Sequence, residues 1–179
     1  AQTADLMVDA GRRQDRATQD KHDDTLGFYT PILKGFLTEM GLEAANLGIQ
    51  VFGGHGYIHE HGMEQIARDA RIATLYEGTT GIQALDLLGR KVLLGTRGKC
   101  VRDFSRIMLR SAKAHWLAHG SIGRMARSTA KRAIEWNLLT LRIMRRVGTD
   151  RDLVGSASVD YLMYSGYVMM AHFWVRQAV

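Results

Sequence analysis

Apolar positions recur with a helical period along nearly the whole chain. Tyr29, Leu33, Phe36, Met40, Ala44, Leu47 and Val51 follow one another in steps of three and four, which puts them on one face of a long α-helix. Pro31 belongs at the first turn of such a helix, and Gly53 and Gly54 stop it. Upstream, residues 1–19 read as a weak polar helix. Downstream, 53–62 read as a loop and 63–72 as a short helix. The next predicted helix covers 79–94, with Thr79 or Thr80 as its cap and Ile82, Leu85, Leu88 and Val92 on one face. Residues 95–99 form a linker. Three further helices are predicted over 101–119, 122–147 and 152–178. Ile134, Leu138 and Leu141 line the second, and Val159, Leu162, Gly166, Met170 and Phe173 line the third. No run alternates with a period of two for long enough to make a strand. The expected fold is all-α: part of an antiparallel helical bundle in 1–94, followed by an appended helical unit in 98–179.

Composition narrows this picture. One proline in 179 residues leaves long helices uninterrupted. One cysteine, Cys100, excludes an internal disulfide framework and fits a reducing compartment, so a cytoplasmic location is expected. The most apolar stretch, 161–175, is short and contains His172, which suits a buried or interface helix better than a membrane span. The chain opens on Ala1-Gln2-Thr3-Ala4, with no initiator Met and no capping signal, so a portion of a longer polypeptide is expected.

Charge is uneven. Residues 97–146 hold thirteen Lys or Arg against two acids, a net +11, while the remainder is −5. Solvated helix faces account for such a pattern; so does a cationic surface that meets an anionic partner. Arg102, Arg106, Arg110 and Lys113 form a stripe at helical spacing, with Trp116 and Trp136 nearby. The basic residues Lys99 and Arg102 beside Cys100 could lower its pKa, but no histidine partner points to a nucleophile. His115 and His119 stand at i, i+4 spacing without a third ligand, so no metal site is expected.

Two motifs offer chemistry. Gln50-Val51-Phe52-Gly53-Gly54-His55-Gly56-Tyr57 has three glycines in four positions, which let a backbone approach a ligand closely. Read locally, helix termination and a tight turn explain it as well. In Leu75-Tyr76-Glu77-Gly78-Thr79-Thr80-Gly81-Ile82-Gln83 a carboxylate stands just before a helix N-terminus. It could act as a general base. It could equally be a capping carboxylate.

Taken together with Ala67-Arg68-Asp69-Ala70-Arg71-Ile72, in this order and spacing, these motifs resemble the C-terminal helical domain of acyl-CoA dehydrogenases. The run from Ile82 to Lys91 resembles the larger bacterial members, which include the 3-methylthiopropanoyl-CoA dehydrogenases and carry an extra helical domain after it. The resemblance implies a flavoenzyme. A glutamate takes the α-proton of an acyl-CoA thioester while the β-hydride passes to FAD, giving a trans-2-enoyl-CoA. An electron-transfer flavoprotein then reoxidises the flavin. Glu77 matches the base, and Gly78 the neighbour along the thioester. Gln50, Gly53 and Gly54 match contacts to the FAD of an adjacent subunit, which implies a homo-oligomer, and Thr79 matches a flavin-domain contact. Gly81 stands where many relatives carry a glutamine that also contacts FAD. The N-terminal helical and middle β domains that complete such a site are not in this sequence, so the chain by itself is expected to be inactive and not to retain FAD. The alternative reading is a helical oligomerisation or nucleic-acid-binding module that uses the basic 97–146 surface. For 98–179 we favour oligomer contacts over nucleic acid.

Overall fold

A computed structural model describes residues 16–150 and 152–179. Among them the chain is all-α, with seven α-helices: α1 (Arg16–Phe52), α2 (Gly54–Tyr57), α3 (Met63–Ala73), α4 (Thr80–Leu85), α5 (Lys99–Ala114), α6 (Gly120–Arg146) and α7 (Leu153–Gln177). A 3-10 turn at His59–His61 precedes α3, and α4 continues without a break as a π-helical stretch over Asp86–Gly95. Apart from its last four residues, which open α1, the helix expected over 1–19 lies outside the described residues.

Helix α1 is the axis of the molecule. Its partners run antiparallel to it, as the residue pairings show. Along α3, Lys34 meets Ala73 and Gly48 meets Met63. Along α4 and its extension, Glu39 meets Thr80 and Gly27 meets Lys91. Along α7, Phe36 meets Gly166, and Phe28 and His172 line one cavity. Helices α5 and α6 form an antiparallel hairpin, in which Ser105 donates to the Ala133 carbonyl at 3.4 Å and Ala112 packs with Ala126 and Ala130. Helix α6 in turn pairs with α7 through the buried Thr140–Tyr161 hydroxyl contact at 2.7 Å. One apolar core takes Phe28, Ile32 and Phe36 from α1, Leu87, Leu88 and Val92 from the π-helical stretch, and Phe104, Trp136, Tyr161 and Leu162 from the last three helices.

Several local expectations change. Pro31 lies inside α1 rather than at its first turn. The amide it lacks is outweighed by packing, since Phe28, Pro31 and Ile32 are all buried in the same turn. The buried face of α1 is Phe28, Pro31, Ile32, Gly35, Phe36 and Ala45, while Leu47 and Val51 of the predicted stripe stand open at 58% and 85% exposure. Residues 53–62 are helical turns rather than loop. Thr79 holds the cap position of α4 without a side-chain cap bond, and the Thr80 hydroxyl is engaged with Glu39. Ile82 and Leu85 are exposed, and Ala84, Leu87, Leu88 and Val92 make the inner line. On α6 the larger apolar residues Ile134, Leu138 and Leu141 face outward, whereas Ala126, Ala130, Ala133 and Trp136 face the core. Small residues there let α5 come close. On α7, Leu162 and Gly166 are buried, but Val159 and Phe173 are exposed. Helix α5 ends at Ala114, so His115 and His119 do not share a helical turn. The thiol of Cys100 is raised, not lowered, in pKa; burial outweighs the help of Lys99.

His172 on α7 is buried, and burial, assisted by Arg176, pushes its imidazole below the ordinary histidine value of 6.5. The folded chain therefore holds it neutral where the unfolded chain would protonate it. The stability this contributes is complete above the unfolded pKa and is lost as pH falls from there through the folded pKa. Melting curves should accordingly drop more steeply with acidification for the wild-type chain than for His172→Gln; parallel pH profiles would assign the acid sensitivity to other groups.

Candidate functional site

The segment between α3 and α4 carries Glu77 in a backbone conformation that few residues adopt. Its φ is 54°, and only Arg97 shares a positive φ among the described non-glycine residues. Such geometry costs on the order of 1–3 kcal/mol and persists only where its surroundings enforce it. Here those surroundings are specific. At one end the Lys34 ammonium donates to the Ala73 carbonyl at 2.7 Å and lies 5.5 Å from the centre of the Tyr76 ring. A cation at a helix C-terminus also meets the negative end of the helix dipole. At the other end the Thr80 hydroxyl donates to the Glu39 carboxylate. Lys34 and Glu39 are both on α1, so the segment is tied at both ends to one rigid element.

Inside these ties the Gln83 side-chain amide donates to the Glu77 carbonyl at 3.0 Å. Gly78 follows with a φ of 91°, and a Cβ there would lie 2.9 Å from the same Gln83 nitrogen. Position 78 therefore favours glycine for its dihedral, and a side chain there would also displace the Gln83 amide. The Arg71 guanidinium meets the hydroxyl of buried Thr74 at 3.2 Å, which closes the end of α3. The result is an exposed carboxylate on a backbone tied at both ends. Leu75 and Tyr76 beside it are also exposed, at 47% and 52%.

The structure brings Glu77, Gly78, Thr79 and Gly81 together in one turn at the start of α4. Gln50 faces a groove of about 730 Å³ between α1 and α7, whose far wall includes Thr80 and Tyr167. Gly53 and Gly54 lie at the exposed end of α1, beyond that groove. A Cβ at Gly53, Gly54 or Gly81 would meet nothing within 4 Å, so the backbone at all three is open to a ligand. These positions fit a group laid against main chain. At position 81 a longer side chain such as glutamine would also find room.

Lys34, Glu39 and Gln83 are site residues that sequence reasoning missed. Lys34 and Glu39 act on partners 39 and 41 residues away, and nothing local in the sequence marks such pairings. Gln83 stands within the motif itself, and its spacing of six from Glu77 across a helix start was the available signal.

The family model for the acyl-CoA dehydrogenase C-terminal domain matches residues 4–93, and the model described as acetyl-CoA dehydrogenase C-terminal like matches residues 101–179. The 3-methylmercaptopropionyl-CoA dehydrogenase of Ruegeria pomeroyi is 38% identical over 139 residues, which cover 78% of this chain and 24% of that protein. A butyryl-CoA dehydrogenase of Syntrophomonas wolfei is 36% identical over 90 residues, 50% of this chain and 14% of its own. The broad-specificity linear acyl-CoA dehydrogenase FadE5 of Mycobacterium tuberculosis is 41% identical over 63 residues, 35% of this chain and 10% of its own. The chain thus spans a quarter or less of the length of these curated relatives. With one family model over its first half and a second over the rest, this chain belongs to the acyl-CoA dehydrogenase family, of which it carries the C-terminal region.

Proposed function

We propose that this chain supplies the base-bearing C-terminal part of an FAD-dependent enzyme that converts an acyl-CoA thioester to its trans-2-enoyl form. The observation that carries the reading is the strained, doubly tied backbone at Glu77. A base that removes a weakly acidic α-proton must be held with little freedom. Glu77 takes that proton on its carboxylate. Gly78, lacking a side chain, leaves the thioester room to lie alongside. Gln83, Lys34 and Glu39 hold the turn in place. Gln50, Gly53, Gly54, Thr79 and Gly81 would hold the flavin, which, when bound, accepts the two electrons that leave the β-carbon.

Proton abstraction also needs dry surroundings. Leu75 and Tyr76 offer apolar surface but are themselves uncovered. A further segment must close over them, and this supports the reading that the 179 residues alone retain no FAD and do not turn over. Residues 1–94 would complete the dehydrogenase bundle. Residues 98–179 would form an appended unit for contacts between subunits, a role supported by the exposed apolar side chains of Ile134, Leu138, Phe173 and Trp174. An electron-transfer flavoprotein as acceptor and a cytoplasmic location complete the proposal. No described helix is long and apolar enough to cross a membrane.

The test is anaerobic addition of a short acyl-CoA to the intact polypeptide that carries this chain. Bleaching of its flavin absorbance, with no turnover from the 179 residues supplied with FAD and a dye acceptor, is the expected result. An intact polypeptide whose flavin stays oxidised would overturn the reaction. Turnover by the isolated chain would overturn the division of the site.

A further inference from the structure

A second cavity, of about 580 Å³, lies at the other end of α1, between α1, α5 and α7. That volume is within the usual range for small-molecule sites, roughly 300–1,000 Å³. Part of its wall is aromatic. Phe28 and Tyr29 come from α1 and Phe104 from α5, with Tyr29 and Phe104 edge to face at 5.8 Å. The lining also holds polar groups that the fold leaves unused. His172 is 2% exposed, packs edge-on to Phe104 at 5.6 Å, and its Nδ1 meets no hydrogen-bond partner among the described residues. A buried polar atom of this kind is uncommon in a folded protein and calls for an explanation. Burial pushes the pKa of the Tyr29 hydroxyl up to about 12.

The basic stripe on α5 reaches the same place. Lys99, Arg106 and Arg110 line the cavity with Lys21 from α1. Asp24 and Asp103 are the acids beside them, and Asp103 is taken up by Arg106 at 2.7 Å. Lys21, Lys99 and Arg110 have no ion pair among the described residues. Cationic groups thus accompany an aromatic lining that contains an unsatisfied imidazole. The cavity draws on both matched regions.

We infer that this cavity is a ligand site, separate from the Glu77 turn, for a flat aromatic ring that bears a carboxylate or phosphate group. The ring packs among Phe28, Tyr29 and Phe104, its polar edge meets His172, and the anionic group meets Lys99 and Arg110. A free aryl acid or the adenine nucleotide portion of a larger molecule would present this chemistry. The site rests on its own residues and does not depend on the dehydrogenase reading.

Cys100, the only cysteine, also lines the cavity and reports its occupancy. The experiment measures the rate at which iodoacetamide alkylates Cys100 in the 179-residue chain, with 1-naphthyl phosphate, adenosine 3′,5′-bisphosphate or neutral 1-naphthol added. Saturable protection by one or both anions, and much weaker protection by naphthol, is expected; which anion protects identifies the source. In Arg110→Glu, half-protection should need about tenfold more anion, as loss of one charge-assisted hydrogen bond predicts. Arg110 is exposed, so this variant tests charge without disturbing the core. Alkylation that neither anion slows at millimolar concentration would overturn the site. Equal protection by naphthol, or an unchanged half-protection concentration in Arg110→Glu, would overturn its selectivity for anions.

Discussion

Exchanging Glu77 for Gln in the intact polypeptide is expected to lower acyl-CoA dehydrogenation by about 10³-fold, within the span that a positioned general base contributes. Flavin content and acyl-CoA binding should remain. The amide keeps the shape of the carboxylate and removes only its ability to accept the proton. The tie from Gln83 reaches the main-chain carbonyl of residue 77, so it survives the exchange. Glutamine also meets the same dihedral demand at a φ of 54° as glutamate does. Single-turnover flavin reduction separates this from a binding defect, and near-normal reduction would place the base elsewhere. Glu77→Gly sharpens the argument. Glycine adopts the left-handed region without strain, so that variant should be at least as stable as the wild type while losing the same activity. A residue retained for stability would show the opposite pairing.

The all-α class was legible because helical periodicity extends over many turns and only one proline intervenes. Helix faces were less legible, for a physical reason. On α6 the core side carries Ala126, Ala130 and Ala133, whose size lets α5 approach, beside Trp136, while Ile134, Leu138 and Leu141 face outward. A search for bulky apolar stripes selects the wrong side of such a helix. On α1 the buried Phe28 and Ile32 lie off the predicted stripe, which extends to the exposed Leu47 and Val51. At the candidate site, the local run of residues 75–83 was recognisable as a motif. Its restraint by Lys34 and Glu39 was not, because each tie links residues about forty positions apart. The cavity beside His172 escaped notice for the same reason: α1, α5 and α7 each contribute part of it.

Gly166→Ala is expected to destabilise the chain by about 2 kcal/mol or more, although alanine is the better helix former by about 1 kcal/mol. A Cβ at position 166 would run into Cγ and Cδ2 of the Phe36 ring. The Phe36 ring cannot retreat freely. It is 2% exposed and stands edge-on to Tyr167 at 4.9 Å. One turn away the contact is reciprocal, with Leu162 of α7 seated against Gly35 of α1. The two helices therefore interlock large residue to small in both directions, and a methyl group at 166 must push them apart along this seam. Gly155 lies in the same helix with open space around its Cβ position, so Gly155→Ala should be neutral or stabilising. Opposite signs for the same chemical change would attribute the loss to the Phe36 contact, and Phe36→Leu should recover part of it in the Gly166→Ala background. Two equal and small shifts in Tm would show that the seam can relax. The seam also bears on function. Lys34 and Glu39, which tie the Glu77 turn, flank Gly35 and Phe36 on α1. A displacement of α1 moves both ties, so Gly166→Ala in the intact polypeptide should slow flavin reduction even at temperatures where the protein stays folded.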